Sequence, residues 1–344
     1  MRLLIILLSL GLFSGCETKN SLKLRYKNHV ILNPSSWQEL ADKPIHERFA
    51  VANDEVLDYV TLDNKIFDYP ERPTPSTLDP SFIEDLRSAL ASIPKPVMAL
   101  VDDALQGIVF LENLGSTGYT AYVLNSEKEP AGAFIVMDTQ ALQRTANEWA
   151  SWKESTPFNS DDTIRIVSRI ETDTNNTRAN AIRYVLLHEF AHVLSATYTV
   201  HPRFDQEWNC TEDPLKNYPY LQHSWQATLE GCDVSSQFDE HHMPQRAKVR
   251  YYSASNLPAT EAIPLYRQLK TTNFPTLYAA TNWYDDFADS FVNYIHTQID
   301  KRPFAIEIYQ HDKLVEAFDG CWNTLRCEAK QTYFENLFEI NTLP

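Results

Sequence analysis

Two histidines stand four residues apart with a glutamate after the first, in the run His188-Glu189-Phe190-Ala191-His192. Around them Ile182, Val185, Leu186, Val193 and Leu194 recur at helical spacing as an apolar stripe. That pattern predicts one long helix from about Thr177 to Ser195. Residues at i and i+4 share a helix face, so both imidazoles can bind a single ion, with Glu189 beside them in reach of a water. With 10 His and 23 Glu in 344 residues, chance yields this pattern only about 0.02 times per chain. The alternative is two ordinary helix histidines. A two-histidine helix of this kind needs a third protein ligand and an open coordination position, so another part of the chain has to fold onto it.

The rest of the composition is that of a globular protein: 43% apolar and 22% charged residues. The length allows one large domain or two medium ones. Lys plus Arg is 30 and Asp plus Glu is 46, a net charge of 30 − 46 = −16. That sign repels phosphate backbones, so nucleic acid is not an expected partner. There are only 8 Gly and no GxGxxG or P-loop pattern, which argues against glycine-rich nucleotide folds.

Along the chain, prolines at 70, 73, 75 and 80 mark a boundary after a tether and loosely structured lead-in, residues 16–75. Residues 76–199 read as an N-terminal subdomain. It has helices at Ser81–Ser92 and Val97–Leu105 and strands at Gly107–Leu111, Tyr119–Leu124 and Ala133–Met137. A helix at Thr139–Trp152 capped by Asp138, a strand at Thr163–Ile170 and the histidine helix follow. Residues 200–272 have weak periodicity and read as an insertion of short helices and loops. Residues 273–344 read as a helical C-terminal subdomain, with helices at Trp283–Ile299, Pro303–Phe318 and Tyr333–Phe338.

At the N-terminus, Met1-Arg2 and the apolar stretch Leu3–Phe13 fit a signal peptide, residues 1–15, and are too short to span a membrane. Ser14-Gly15-Cys16 resembles a bacterial lipoprotein lipobox, with Phe13 departing from its usual Leu. The resemblance implies lipidation of Cys16 and a lipid-anchored protein of the bacterial cell envelope. Glu17, in place of an Asp, points to the outer membrane, facing the periplasm or the cell surface. The remaining Cys210, Cys232, Cys321 and Cys327 are an even number in an oxidising compartment. The expected disulfides are Cys210–Cys232 and Cys321–Cys327, against the alternative of free thiols.

A second acidic run lies nearly a hundred residues past the histidines: Tyr278-Ala279-Ala280-Thr281-Asn282-Trp283-Tyr284-Asp285-Asp286-Phe287-Ala288-Asp289. Asp285 and Asp289 are again i and i+4 on one helix face. His188-Glu189-x-x-His192 is the HExxH pattern of zinc metallopeptidases. The second run resembles the second zinc helix of lethal-factor-type gluzincins, whose pattern is Tyr-x-x-Thr-Asn-x-x-Glu-x-Phe-Ala-Glu. Tyr278, Thr281, Asn282, Phe287 and Ala288 match; Asp stands for Glu at both acidic positions. Metzincins are excluded, because Ser195 occupies the place of their glycine.

The resemblance implies an α+β, zincin-like fold, with a small mixed sheet packed on the HExxH helix. It implies one Zn2+ held by His188, His192 and Asp285, with Glu189 as general base. Tyr278 would assist the transition state, and Asp289 would support a ligand histidine. Asp286 or Asp289 remain alternatives for the third ligand, and Tyr278 for a core residue. Asp is one methylene shorter than Glu, so its helix must come closer. The strand Thr163–Ile170 is the expected cradle for extended substrate. His201 lies past the expected helix end, His296 reads as structural, and His241-His242 as exposed. The implied activity is hydrolysis of a peptide or protein substrate. A zinc amidohydrolase acting on cell-wall peptides and a non-catalytic zinc-binding envelope lipoprotein are the competing readings.

Overall fold

The computed structural model describes residues 18–205, 211–228, 230, 233–252 and 257–342. The lead-in expected to be loose is folded from Thr18 onward. Thr18 caps α1 (Lys19–Lys27), its hydroxyl accepting from the Ser21 N–H. α2 (Gln38–Ala41), β1 (Phe49–Val51) and α3 (Asp54–Ile66) follow, α3 capped by Asn53. The sequence hid this because Ile31, Leu32 and Trp37 are buried from short 3-10 turns and their ends, which have no long period.

β2 (Thr74–Pro75), α4 (Pro80–Ser92), α5 (Lys95–Val101), β3 (Leu105–Glu112), β4 (Gly118–Leu124) and β5 (Pro130–Asp138) come next. The sheet order is β1-β3-β5-β4, with β2 also pairing with β3. β1, β3 and β5 run parallel, and β4 is antiparallel to β5 at the edge. Both faces are covered, which is why β3 and β5 read as continuous apolar runs. On one face Trp37 stacks on Phe134 with ring centres 4.4 Å apart. A Cβ at Gly107 would lie 2.9 Å from Leu40 Cδ1 and 3.0 Å from the Trp37 ring, so glycine gives the indole room to lie close on the strand. On the other face Phe82 of α4 meets Phe110 edge-on at 5.4 Å.

α6 (Ala146–Ser155), β6 (Ile164–Arg169) and α7 (Arg178–Leu194) complete the first half. Thr145 and Glu148 form the capping box of α6, so the helix begins later than expected. Asp138 instead ends β5, accepting from the N–H groups of Gln140 and Ala141. α7 packs against β4, α4 and α6, and is buried on nearly every face rather than along one stripe.

The second half holds β7 (Trp225–Thr228), β8 (Asp233–Ser236), α8 (Ala262–Leu269), α9 (Trp283–Tyr294), β9 (Ala305–Gln310), β10 (Lys313–Phe318) and α10 (Glu328–Thr342). α9 continues through a π-helical turn to Ile299, matching the expected helix span. The helix expected over Pro303–Phe318 is a hairpin, β9–β10, joined at His311 and Asp312, both with positive φ. Ile306 and Ile308 face inward with period two, but the turn lacks the glycine that usually marks a hairpin. β6 pairs with β9, so the Thr163–Ile170 strand belongs to a separate three-stranded sheet, β10-β9-β6. The insertion contains the β7–β8 hairpin, which the sequence did not indicate.

Cys321 and Cys327 form a disulfide; Cys16, Cys210 and Cys232 lie outside the described residues. The chain is α+β with a small mixed sheet, although its C-terminal part carries a hairpin as well as helices. Among the described residues no helix is long and apolar enough to cross a membrane.

Asp286 and Lys330 tie α9 to α10 as a fully buried ion pair, Nζ lying 2.6 and 2.8 Å from the two carboxylate oxygens. Trp225 adds its indole N–H to the same carboxylate at 2.9 Å. Removing one partner strands a buried charge. Lys330→Met is therefore expected to cost about 3–5 kcal/mol in urea unfolding, with Asp286→Asn/Lys330→Met losing less than the single variant.

Candidate metal centre

α7 and α9 pack directly on each other, and each is fixed at its start by a side-chain cap. Thr177 accepts from the Asn180 N–H to start α7. Asn282 starts α9, its Oδ1 accepting from the Asp285 N–H at 2.8 Å. The same Asn282 donates from Nδ2 to Asp285 Oδ2 at 2.6 Å. That bond orients the carboxylate and leaves Oδ1 facing α7. There it lies 3.6 Å from His188 Nε2 and 3.4 Å from His192 Nε2.

These three side chains could hold a metal ion, their donor atoms all lying within 4.8 Å of one another. Bonds of about 2.0–2.2 Å to a tetrahedral ion place neighbouring donors about 3.3–3.6 Å apart, which the two carboxylate–imidazole distances match. The shorter aspartate still reaches the histidines because it stands in the first turn of a helix packed straight onto theirs. His188 turns its other nitrogen, Nδ1, to Asp289 Oδ1 at 3.2 Å, leaving Nε2 for the ion. Thr276 donates its hydroxyl to the second oxygen of Asp289. Of the alternatives for the third ligand, Asp286 is engaged by Lys330 and Asp289 by His188, so Asp285 is the carboxylate that meets both imidazoles.

The electrostatics ask for a cation. At this site Asp285, Asp289 and Glu189 are all buried, and the ammonium buried beside them is that of Lys153. Its Nζ lies 3.4 Å from Asp289 Oδ1 and 3.8 Å from Glu154 Oε1. Burial pushes Glu154 towards its neutral form, and the hydroxyls of Tyr251 and Tyr266 donate to it. Burial alone would pull His188 down, but its contacts with Asp285 and Asp289 outweigh that and lift it to about 9. Burial would raise Asp285, yet the two histidines hold it below the usual carboxylate range.

Glu189 points from α7 to the edge strand. Thr120 donates its hydroxyl to Glu189 Oε2 at 2.6 Å, both groups buried. A Cβ at Gly118 would fall 2.2 Å from Glu189 Oε1, so glycine is what allows the carboxylate to lie against β4. Thr117 O accepts from the Asp138 N–H. The alternation of an antiparallel ladder then turns the backbone groups of Gly118 and Thr120 away from β5, towards the outer edge of the sheet, where the Gly118 carbonyl accepts from the Ser116 hydroxyl at 3.0 Å. The strand beside the site is thus β4, not the Thr163–Ile170 strand.

A cavity of about 30 Å³ lies beside His188 and Glu189, walled by Trp149, Lys153, Tyr252 and Tyr278. The Tyr278 ring is 5.5 Å from that of His188, and Lys153 Nζ sits 4.2 Å from its centre on the π face. Burial, then the charge of Asp285, raises the Tyr278 phenol, so it stays a protonated donor.

The structure therefore assembles His188, Glu189, His192, Tyr278, Asp285 and Asp289 at one place. Lys153, Thr120, Gly118 and Thr276 were missed. A lysine four residues after a buried tryptophan on α6 was the only hint of Lys153. His296 is not among the grouped ligands and donates its Nε2–H to the Ile170 and Pro303 carbonyls; His241 is exposed. Comparisons with protein-family models, with curated proteins and with solved structures found no match.

Metal uptake must displace the His188 proton. Below about pH 9, affinity for a divalent ion should rise roughly tenfold per pH unit, flattening above it. Calorimetric titration from pH 6.5 upward checks this; a plateau already at pH 7 would mean that the imidazole is not held protonated.

Proposed function

We propose that this chain is a zinc-dependent peptidase with a zincin-like arrangement of helix and edge strand. The observation that carries the reading is the meeting of His188, His192 and Asp285, with Glu189 adjacent and Asp289 behind His188. Zinc bound by these residues would supply Lewis-acid chemistry, polarising a carbonyl and making water more acidic.

The chain's own groups account for the rest. Glu189, steadied by Thr120, takes the proton from the attacking water and passes it to the leaving amine. Tyr278 donates its O–H to the carbonyl oxygen as that atom gains negative charge. Asp289 receives the His188 Nδ1–H and fixes the tautomer. Extended substrate adds as a strand along the β4 edge, the Gly118 carbonyl exchanging its bond from the Ser116 hydroxyl for one from substrate. A peptide or protein substrate in the bacterial cell envelope fits the lipobox-like N-terminus. The Cys321–Cys327 disulfide supports an oxidising compartment.

Glu189→Gln should keep a full equivalent of zinc and lower peptide hydrolysis at least ~10²-fold. Asp285→Ala should lose the zinc. Parent-like turnover by the first variant, or full loading of the second, would refute the assigned roles. Thr120→Val and Gly118→Ala disturb only the seat of Glu189. Both should keep zinc while kcat falls by up to ~10²-fold, with KM little changed. Steady-state kinetics on a peptide library, with metal content by mass spectrometry, provides the readout.

A further inference from the structure

His192 is the one ligand histidine whose second nitrogen is unaccounted for. Its Nε2 faces Asp285, while Nδ1 is buried and has no hydrogen-bond partner among the described residues. An imidazole that gives Nε2 to an ion carries its proton on Nδ1 and nearly always donates it. A matching acceptor is close by. His201, 3% exposed, lies next to the Pro202 carbonyl with its Nδ1 at 2.7 Å. A carbonyl only accepts, so Nδ1 carries the His201 proton and Nε2 is left with a lone pair. That Nε2 is also buried and unpartnered among the described residues. The rings of Trp283, Phe204 and Phe287 pack around the imidazole with centres 5.5, 6.0 and 6.2 Å from its own, and none of them hydrogen-bonds Nε2. The remaining ring is His192, its centre 6.3 Å away.

We propose that His201 is the positioning residue for His192, its Nε2 accepting the His192 Nδ1–H through one bridging water. The distance selects the bridge. An imidazole nitrogen lies about 1.2 Å from its ring centre, so a direct bond of about 2.9 Å needs centres within about 5.3 Å. One water extends this to about 7 Å, and the 6.3 Å observed falls in that window. The Pro202 carbonyl sets the His201 tautomer, which sets that of His192, which aims Nε2 at the ion. His192 then has in His201 what His188 has in Asp289. The inference rests on the metal reading above and concerns affinity for the ion rather than the chemical step.

The test is zinc affinity of the full chain, by competition with a chromophoric chelator at fixed pH. His201→Phe, which removes the acceptor and keeps an aromatic ring, should bind zinc about 10–100-fold more weakly. His201→Gln, which retains an acceptor, should stay within a few-fold of the parent. A Phe variant with parent affinity, or a Gln variant that loses as much as Phe, overturns the assignment while leaving the metal site standing. A parent chain that takes up no zinc overturns both. Should His201→Phe fail to fold, nitrogen NMR of the zinc-loaded parent decides. A proton on Nδ1 of both His192 and His201 is expected, and a proton on His201 Nε2 contradicts the pairing.

Discussion

One carboxylate oxygen lying between two imidazole nitrogens that come from a different helix sets the terms for the rest of this molecule. Oδ1 of Asp285 stands 3.4 and 3.6 Å from the Nε2 atoms of His192 and His188. Such a meeting survives in a buried place only if the helices bearing it cannot slide. α7 is fixed by the sheet on one side and by α4 and α9 around it. α9 is fixed by its asparagine cap at one end and by the buried Asp286–Lys330 pair on its outer side. The acidic run on α9 thus divides its labour: Asp285 faces the histidines, Asp286 the C-terminal helix and Asp289 the back of His188.

Charge explains the neighbours. Asp285, Asp289 and Glu189 outnumber the cationic groups among them, Lys153 and the His188 imidazolium, and a divalent ion that displaces the His188 proton would cancel the difference; isolated buried charge is costly. Lys153 joins two parts of the site, contacting Asp289 and lying over the Tyr278 ring. Displacing it would disturb both the support of a ligand and the placement of a donor. The edge strand contributes in a different way. Thr120 supplies a hydroxyl and Gly118 supplies the absence of a side chain, so the strand that holds Glu189 in place is also the edge strand of its sheet.

How much of this was legible in the sequence depends on the range of the interactions. HExxH is a local device: its spacing alone puts His188 and His192 on one face, and the helix forms where its apolar residues predict. Asp285 and Asp289 were legible because they repeat the same four-residue spacing on a second helix. Lys153, Thr120 and Gly118 were not, since each acts across a distance in sequence that no period records. The hairpin at β9–β10 was misread as a helix because its turn uses His311 and Asp312 at positive φ instead of glycine. The N-terminal segment was misread because Trp37 and its neighbours are buried from short turns. That β4, rather than the Thr163–Ile170 strand, is the edge strand packed on α7 was not legible either, because which strand lies at a sheet edge beside α7 is a property of topology, not of local pattern.

The most direct check of the account is a crystal structure of the zinc-soaked protein with anomalous data collected on both sides of the zinc absorption edge. The expected result is a single strong peak bounded by His188 Nε2, His192 Nε2 and Asp285 Oδ1, with Glu189 adjacent and not bonded to the ion. A peak elsewhere, or ions bound only to surface carboxylates with the two imidazoles uncoordinated, would contradict it.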